Sequence, residues 1–327
     1  MASVLGLGNA LVDILAGVPN DDFLHHFDLP KGSMQLIDEN TAHKITGHLK
    51  SFELRKAPGG SAANTISGLS KLAVDTGFIG KIGDDEIGKF FKEDMIRSGI
   101  KPMLSVGRAP SGRALVFVTP DSERTFATYL GAAVELVPEE LAETDFKGYS
   151  YFHIEGYMVQ NHDLVRQAVK IAKRHGLKIS LDLASYNVVE QNMEFLDEIL
   201  RDYVDIVFAN QDEAKAFTGL DPEGALSELA GLCEIAVVKV GRKGSYIKKG
   251  MEVHKIGIID AIPLDKTGAG DLYASGFIYG LINKYPLNIC GELGSILSGK
   301  VIEVVGPKME DQVWDTIKEM IADVLNR

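Results

Sequence analysis

Residues 265–271, DKTGAGD, place two glycines, an alanine and a carboxylate within one turn, just ahead of an apolar run through Leu272, Phe277 and Ile282. Gly268 and Gly270 lack a Cβ, so the backbone can approach a ligand closely, and the periodicity that follows predicts a helix over 268–282. The amides of Gly268, Ala269 and Gly270 would then stand unpaired at the positive end of that helix, a ready site for phosphoryl oxygens. Asp271, in the first turn, is the candidate proton acceptor for an alcohol brought against that anion. The helix dipole predicts a carboxyl pKa below the usual range for it.

Other residue groups suit the same chemistry. Asp13 follows the first apolar run, at what should be the carboxyl end of a sheet, where it could bridge two hydroxyls of a sugar; a turn or capping aspartate is the plainer alternative. Gly59 and Gly60 precede Ser61, Ala62, Ala63 and Asn64, opening a helix with small side chains and projecting Asn64 from its first turn; a tight strand-to-helix turn would look the same. Asn210 and Glu213 have the spacing Asn-x-x-Glu after a buried run. They could hold Mg²⁺ through its water shell, or form a capping box without metal. Gly241 and Gly244 follow the buried run ending at Val240 and could pass under a nucleotide, with Lys239 and Arg242 adding positive charge.

Some patterns are discarded. GDDEIGK at 83–89 copies the start of a phosphate-binding loop, but Phe90 takes the hydroxyl position and acids fill the loop. GLGNAL at 6–11 lacks the third glycine of a dinucleotide fingerprint. His25, His26 and His153 do not have the spacing of a metal site.

These residues need a scaffold, and the patterning supplies one. From about residue 149 onward, β-rich runs (YFHIEGYM, LKISLDLA, VDIVFAN, IAVVKVG) alternate with helical ones at 162–175, 188–200, 212–217 and 268–282. That alternation predicts an α/β fold of three layers, a doubly wound and mostly parallel sheet between helices. VLGLG and DTGFIGKIG add central strands around a helix over 61–72. Residues 101–131 read as short antiparallel strands, which with 15–37 predict a small β-sheet lid, discontinuous in sequence, within one domain spanning 1–327.

Across the 327 residues, 46 acidic side chains against 34 basic ones give a formal charge of −12, which argues against a nucleic-acid partner. Two cysteines without metal-ligand spacing fit a reducing cytoplasm. The apolar opening at 2–11 lacks a basic leader and is interrupted by Asp13, so it reads as a buried strand rather than a signal peptide. No run reaches the ~18 apolar residues of a membrane span.

GGSAANTISGLSKL with FIGKIGDDEIGKFF at 59–91, and DKTGAGDLYASGF at 265–277, occur in the order found in the ribokinase-like (PfkB) carbohydrate kinases, which the chain resembles over nearly its whole length. GNALVDI, APGGSAAN and NQDEAKAF are most similar to the adenosine kinase branch. The resemblance implies Asp271 as catalytic base and Gly268, Ala269 and Gly270 as its anion hole. It implies Asp13, Asn9, Gly59, Gly60 and Asn64 at the substrate, with Gln35 from the lid, and Asn210 and Glu213 at magnesium and phosphate. Gly241 and Gly244 match the nucleotide loop, with Lys239 beside it, and Arg124 a lid arginine near the phosphates.

Two departures stand out: Lys266 replaces a common Thr in the loop that often binds K⁺, and Lys239 replaces a small polar residue. The implied activity is transfer of the γ-phosphoryl of ATP, with Mg²⁺, to a primary hydroxyl, foremost the 5′-hydroxyl of adenosine. A ribose or fructose kinase, another nucleoside kinase and a non-catalytic nucleoside-binding protein are the alternatives. Met34, Gln35, Leu36, Phe117 and Tyr157 are candidates to enclose the base or sugar. A lid sheet is compatible with a monomer or a homodimer.

Overall fold

The computed structural model describes residues 3–121 and 123–327; Met1, Ala2 and Ser122, which the expected strand, domain and lid ranges include, lie outside the described residues. Runs that are apolar at successive positions become strands buried on both faces. They form a nine-stranded sheet in the order Glu252–Ile256, Ser245–Lys249, Ile235–Lys239, Ile206–Asn210, Lys178–Asp182, Tyr151–Ile154, Ser3–Leu7, Asp75–Ile82 and Ile100–Val106. The strands from Ile235–Lys239 to Ile100–Val106 are parallel, and the first two make an antiparallel hairpin at one edge.

Side chains alternate between two helical layers. Leu5, Phe152, Ile179, Val207 and Val238 pack with Val165, Leu196 and Leu226 on one face. Val4, Phe78, Phe208 and Val237 pack with Ile66, Phe91 and Phe277 on the other. The three-layer doubly wound fold expected from the alternation is therefore present.

A second, five-stranded sheet runs in the order Met34–Leu36, Arg124–Tyr129, Gly112–Val118, Leu11–Gly17 and Leu54–Gly59. Its composition differs from the segments 15–37 and 101–131 in two respects. Ile100–Val106 pairs in parallel with Asp75–Ile82 at the edge of the large sheet. Leu54–Gly59 joins the small sheet by pairing antiparallel with Leu11–Gly17. Strand pairing depends on partners far away in sequence, and length and polarity did not reveal it.

Two helices fix the geometry that matters for function. Helix Ser61–Lys71 lies against helix Ala269–Ile282 so closely that a Cβ on Gly68 would stand 2.5 Å from Ser275 Oγ and 2.8 Å from Leu272 Cδ1. Ser275 Oγ reaches back to the carbonyls of Thr65, at 2.8 Å, and Asp271, at 3.0 Å, locking the register of the pair.

Gly68→Ala tests this contact. Alanine favours a helix by about 0.8–1 kcal/mol over glycine, whereas overpacking a tight interface costs about 1–3 kcal/mol. The expected result in urea unfolding is a net loss of stability together with reduced turnover. An unchanged or raised midpoint would show that the helices are not in tight contact.

Candidate active site

The parallel strands deliver polar residues to one edge. Asp182, Asn210 and Lys239 are the last residues of their strands, Glu155 directly follows Tyr151–Ile154, and Asn9 lies just beyond Ser3–Leu7. Ligands of open α/β sheets bind at this carboxyl edge. The small sheet enters the same region, since Leu11–Gly17 leaves the core strand through Asn9.

Asp271 sits at the centre. Its Oδ1 accepts a hydrogen bond from Ser61 Oγ at 2.7 Å and its Oδ2 one from Asn64 Nδ2 at 2.9 Å. Both donors come from the first turn of the helix held by Gly68. Burial pushes the Asp271 carboxyl up to about 6, against the lowering effect of Asn64 and Ser61, with Asp182 raising it further. The lowered pKa expected from the helix dipole is therefore corrected: loss of water outweighs the dipole. Asn64, expected at substrate hydroxyls, gives one of its two N–H groups to Asp271.

Gly268 begins the helix with φ of 79°, a left-handed conformation suited to glycine, and makes no side-chain cap. Among the described residues, the N–H groups of Gly268, Gly270 and Asp271 have no acceptor, whereas Ala269 N–H donates to Lys266 O at 3.2 Å. Of the three amides expected to form the anion hole, Ala269 is thus turned into the loop, and Asp271 supplies a free amide in its place.

Gly60 caps helix Ser61–Lys71 with φ of 93°, and a Cβ on it would lie 2.3 Å from Asn9 O. Asn9, expected to bind substrate, donates through Nδ2 to Glu155 Oε1 at 2.7 Å; Glu155 Oε2 accepts from Ala62 N–H at 3.1 Å. Glu155 is fully enclosed, and burial raises its carboxyl to about 7. Sequence reading missed it, although an acid directly after the apolar YFHI is a signal. Its role is to hold the glycine turn at the start of the helix that grips Asp271.

On the small sheet, Asp13 projects toward Gly59, where a Cβ would stand 2.4 Å from its Oδ1; this glycine makes room for the carboxylate. Burial raises Asp13 to about 7, Arg124 opposes this, and Asp271 and Asp265 add to it, so all four lie within one electrostatic neighbourhood. Arg124 bonds through Nη1 to Asp265 Oδ2, and its buried Nη2 has no acceptor among the described residues. The lid is therefore tied to the DKTGAGD loop, with one guanidinium nitrogen left for an anion.

Strand register sorts the proposed lid residues. Asp13 pairs with Ala114 and Ala114 with Thr128, and Leu36 also pairs with Thr128, so Leu36 and Met34 share Asp13's face, as does Phe126. Gln35 pairs with Ala127 and falls on the opposite face, as does Phe117, whose ring packs 5.0 Å from Phe23. The placements of Gln35 and Phe117 at substrate are corrected by this alternation. Tyr157, in the turn after Tyr151–Ile154, is half-buried, and burial pushes its hydroxyl up to about 12.

Asn210 and Glu213 form a capping box. Asn210 Oδ1 accepts from the N–H groups of Asp212 at 2.8 Å and Glu213 at 2.9 Å, while Glu213 Oε2 accepts from Asn210 N–H at 2.7 Å and Oε1 from Asn210 Nδ2. Glu213 is buried, which raises its pKa, and Asp182 adds to the effect. Lys239 Nζ donates to Asp182 Oδ2 at 2.8 Å; burial disfavours both charges, but the pair holds Asp182 below and Lys239 above the usual range. Among the described residues no three His, Cys, Asp or Glu side chains converge as a direct metal cage. Two buried carboxylates against one ammonium fit a hydrated Mg²⁺ held through water instead. Gly241 and Gly244 flank the turn after Lys239, with φ of 58° and 88°.

Residues 32–312 match the profile of the pfkB family carbohydrate kinase. The fold superposes on the crystal structure of a probable sugar kinase from Rhizobium etli CFN 42 with a TM-score of 0.89 and 34% identity, covering 99% of both chains. It superposes on adenosine kinase from Sinorhizobium meliloti with a TM-score of 0.88 and 34% identity, covering 98% of this chain and 99% of the other. A 5-dehydro-2-deoxygluconokinase of Bacillus subtilis is 27% identical over 292 residues, 84% of this chain and 90% of the relative.

The raised carboxyls set a pH dependence of stability. Asp13 and Glu155 at about 7 and Asp271 at about 6 lie above their unfolded values of 3.8, 4.5 and 3.8. Between roughly pH 4 and 7 the folded chain binds more protons than the unfolded one, so stability is highest at the acid side and is lost as pH rises through that window. Melting of the ligand-free protein should shift down from pH 5 to pH 8. A flat or rising profile would show that these acids are solvated.

Proposed function

The chain belongs to the pfkB family of carbohydrate kinases, and from that premise we propose that it phosphorylates the 5′-hydroxyl of a purine nucleoside, adenosine foremost, with ATP as donor. It is a sugar or nucleoside kinase; the nucleoside is the finer reading. The observation that carries it is the lid face around Asp13, where Met34 and Leu36 are 46% and 58% exposed and Phe126 and Leu15 are half-buried. A free sugar covers such apolar surface poorly. A ribose with a flat base attached would give its hydroxyls to Asp13 and lay its base on these side chains.

Asp271 has about four lone-pair positions on its carboxylate, and Ser61 and Asn64 use one each, leaving room for a substrate hydroxyl. With a pKa of about 6 the group is ionised at neutral pH yet more basic than a free carboxylate. The alcohol oxygen bonds to the γ-phosphorus as the bridging bond to the β-phosphate breaks; ADP leaves with that electron pair, and the alcohol proton passes to Asp271. The free amides of Gly270 and Asp271 and the spare Arg124 nitrogen stabilise charge on the phosphoryl oxygens. Asn210 and Glu213 are the residues that would stand nearest Mg²⁺ carried with ATP, which would supply further charge neutralisation. Closure of the lid excludes water from the transfer.

Two measurements test this reading. Asp271→Asn should lower kcat by about 10² to 10⁴ while nucleotide binding persists; near wild-type turnover would remove Asp271 from its role. In a coupled assay with adenosine, inosine, ribose, fructose and 5-dehydro-2-deoxygluconate, kcat/KM should be highest for a nucleoside, and Leu36→Asp should raise KM for that nucleoside. Preferred turnover of a free sugar would replace the nucleoside reading with a sugar kinase.

A further inference from the structure

Lys239 carries a buried ammonium whose placement the capping and pairing described above do not account for. Asp182 receives it at 2.8 Å on one side. On the other side stands the DKTGAGD turn: a Cβ built on Gly270 would lie 3.0 Å from Lys239 Nζ and would meet no other residue within 4 Å. The ammonium thus faces the N-terminal end of helix Ala269–Ile282, where the Gly270 and Asp271 amides have no acceptor among the described residues.

A cation opposite a helix N-terminus is an unfavourable arrangement. Of the carboxylates that attract it, Asp182 also accepts from Ala184 N–H, at 2.9 Å, Glu213 is occupied by Asn210, and Asp271 is held by Ser61 and Asn64. An anion placed between ammonium and amides turns both faces of the gap attractive, with charge-assisted hydrogen bonds from each.

We infer that Lys239 forms the second side of the phosphate clamp, its ammonium touching the transferred phosphoryl opposite the Gly270 and Asp271 amides. This rests on the kinase reading and deepens it. The consequence is a component of donor-phosphate affinity that needs no Mg²⁺. Lysine suits the position as a compact point charge with three donors, able to hold Asp182 and a phosphoryl oxygen together.

Binding of inorganic tripolyphosphate to the full chain, measured by titration calorimetry in EDTA and again with Mg²⁺, tests the assignment. Lys239→Met should weaken metal-free binding by about tenfold to a hundredfold, the range for hydrogen bonds to charged groups. Gly270→Ala sets a methyl group in the gap 3.0 Å from the ammonium. It should weaken metal-free binding several-fold without lowering the melting temperature, since alanine is the better helix former. Binding within twofold of wild type in both variants overturns the assignment, leaving Lys239 a structural partner of Asp182. If Lys239→Met does not fold, Gly270→Ala decides alone. A wild-type chain that binds no tripolyphosphate with or without Mg²⁺ overturns the kinase reading together with this one.

Discussion

The grip of Ser61 and Asn64 on the Asp271 carboxylate is the interaction on which the rest of the site depends. It joins residues more than 200 positions apart in sequence, and it exists only because helix Ser61–Lys71 can lie against helix Ala269–Ile282 at the distance that Gly68 permits. Glu155 and Asn9 fix the start of the first helix, and the left-handed Gly268 fixes the start of the second. Two helix N-termini are thereby brought to one spot at the carboxyl edge of the sheet, one supplying donors to the carboxylate and the other supplying free amides beside it.

Charge explains why such a site is poised for its ligands. Asp13, Glu155, Glu213 and Asp271 are all destabilised by burial, and Lys239 and Arg124 compensate only part of that. On the proposed reading, a divalent ion carrying a polyphosphate would bring both signs of charge, the metal near the acids and the phosphate oxygens toward the unpaired amides and the Arg124 guanidinium. The lid adds Asp13 for hydroxyls and an apolar face beside it. On the proposed reading, a nucleoside and a nucleotide would complete interactions that the protein leaves open.

Much of this was legible in the sequence. The alternating runs revealed the doubly wound sheet, and DKTGAGD and GGSAAN marked two segments that the fold brings together, because glycine and acid patterns are local. What escaped was tertiary. Ile100–Val106 joins the large sheet through partners 24 residues earlier in sequence, which no local pattern encodes. Gln35 and Phe117 fell on the wrong face because one residue of register decides it. The pKa of Asp271 came out raised because solvation depends on what surrounds the carboxylate, while the dipole could be read from the helix alone. Glu155 and Asp182 were visible as acids at strand ends, but only the fold shows Glu155 bracing a helix and Asp182 holding an ammonium.

A crystal structure of the chain with adenosine and ADP tests the central claim most directly. The account predicts the nucleoside 5′-oxygen within ~3 Å of Asp271 Oδ and the terminal phosphate of ADP in line behind it, facing the Gly270 and Asp271 amides. A nucleoside oriented with its 5′-oxygen away from Asp271, or a phosphate bound elsewhere with those amides still facing solvent, would contradict it.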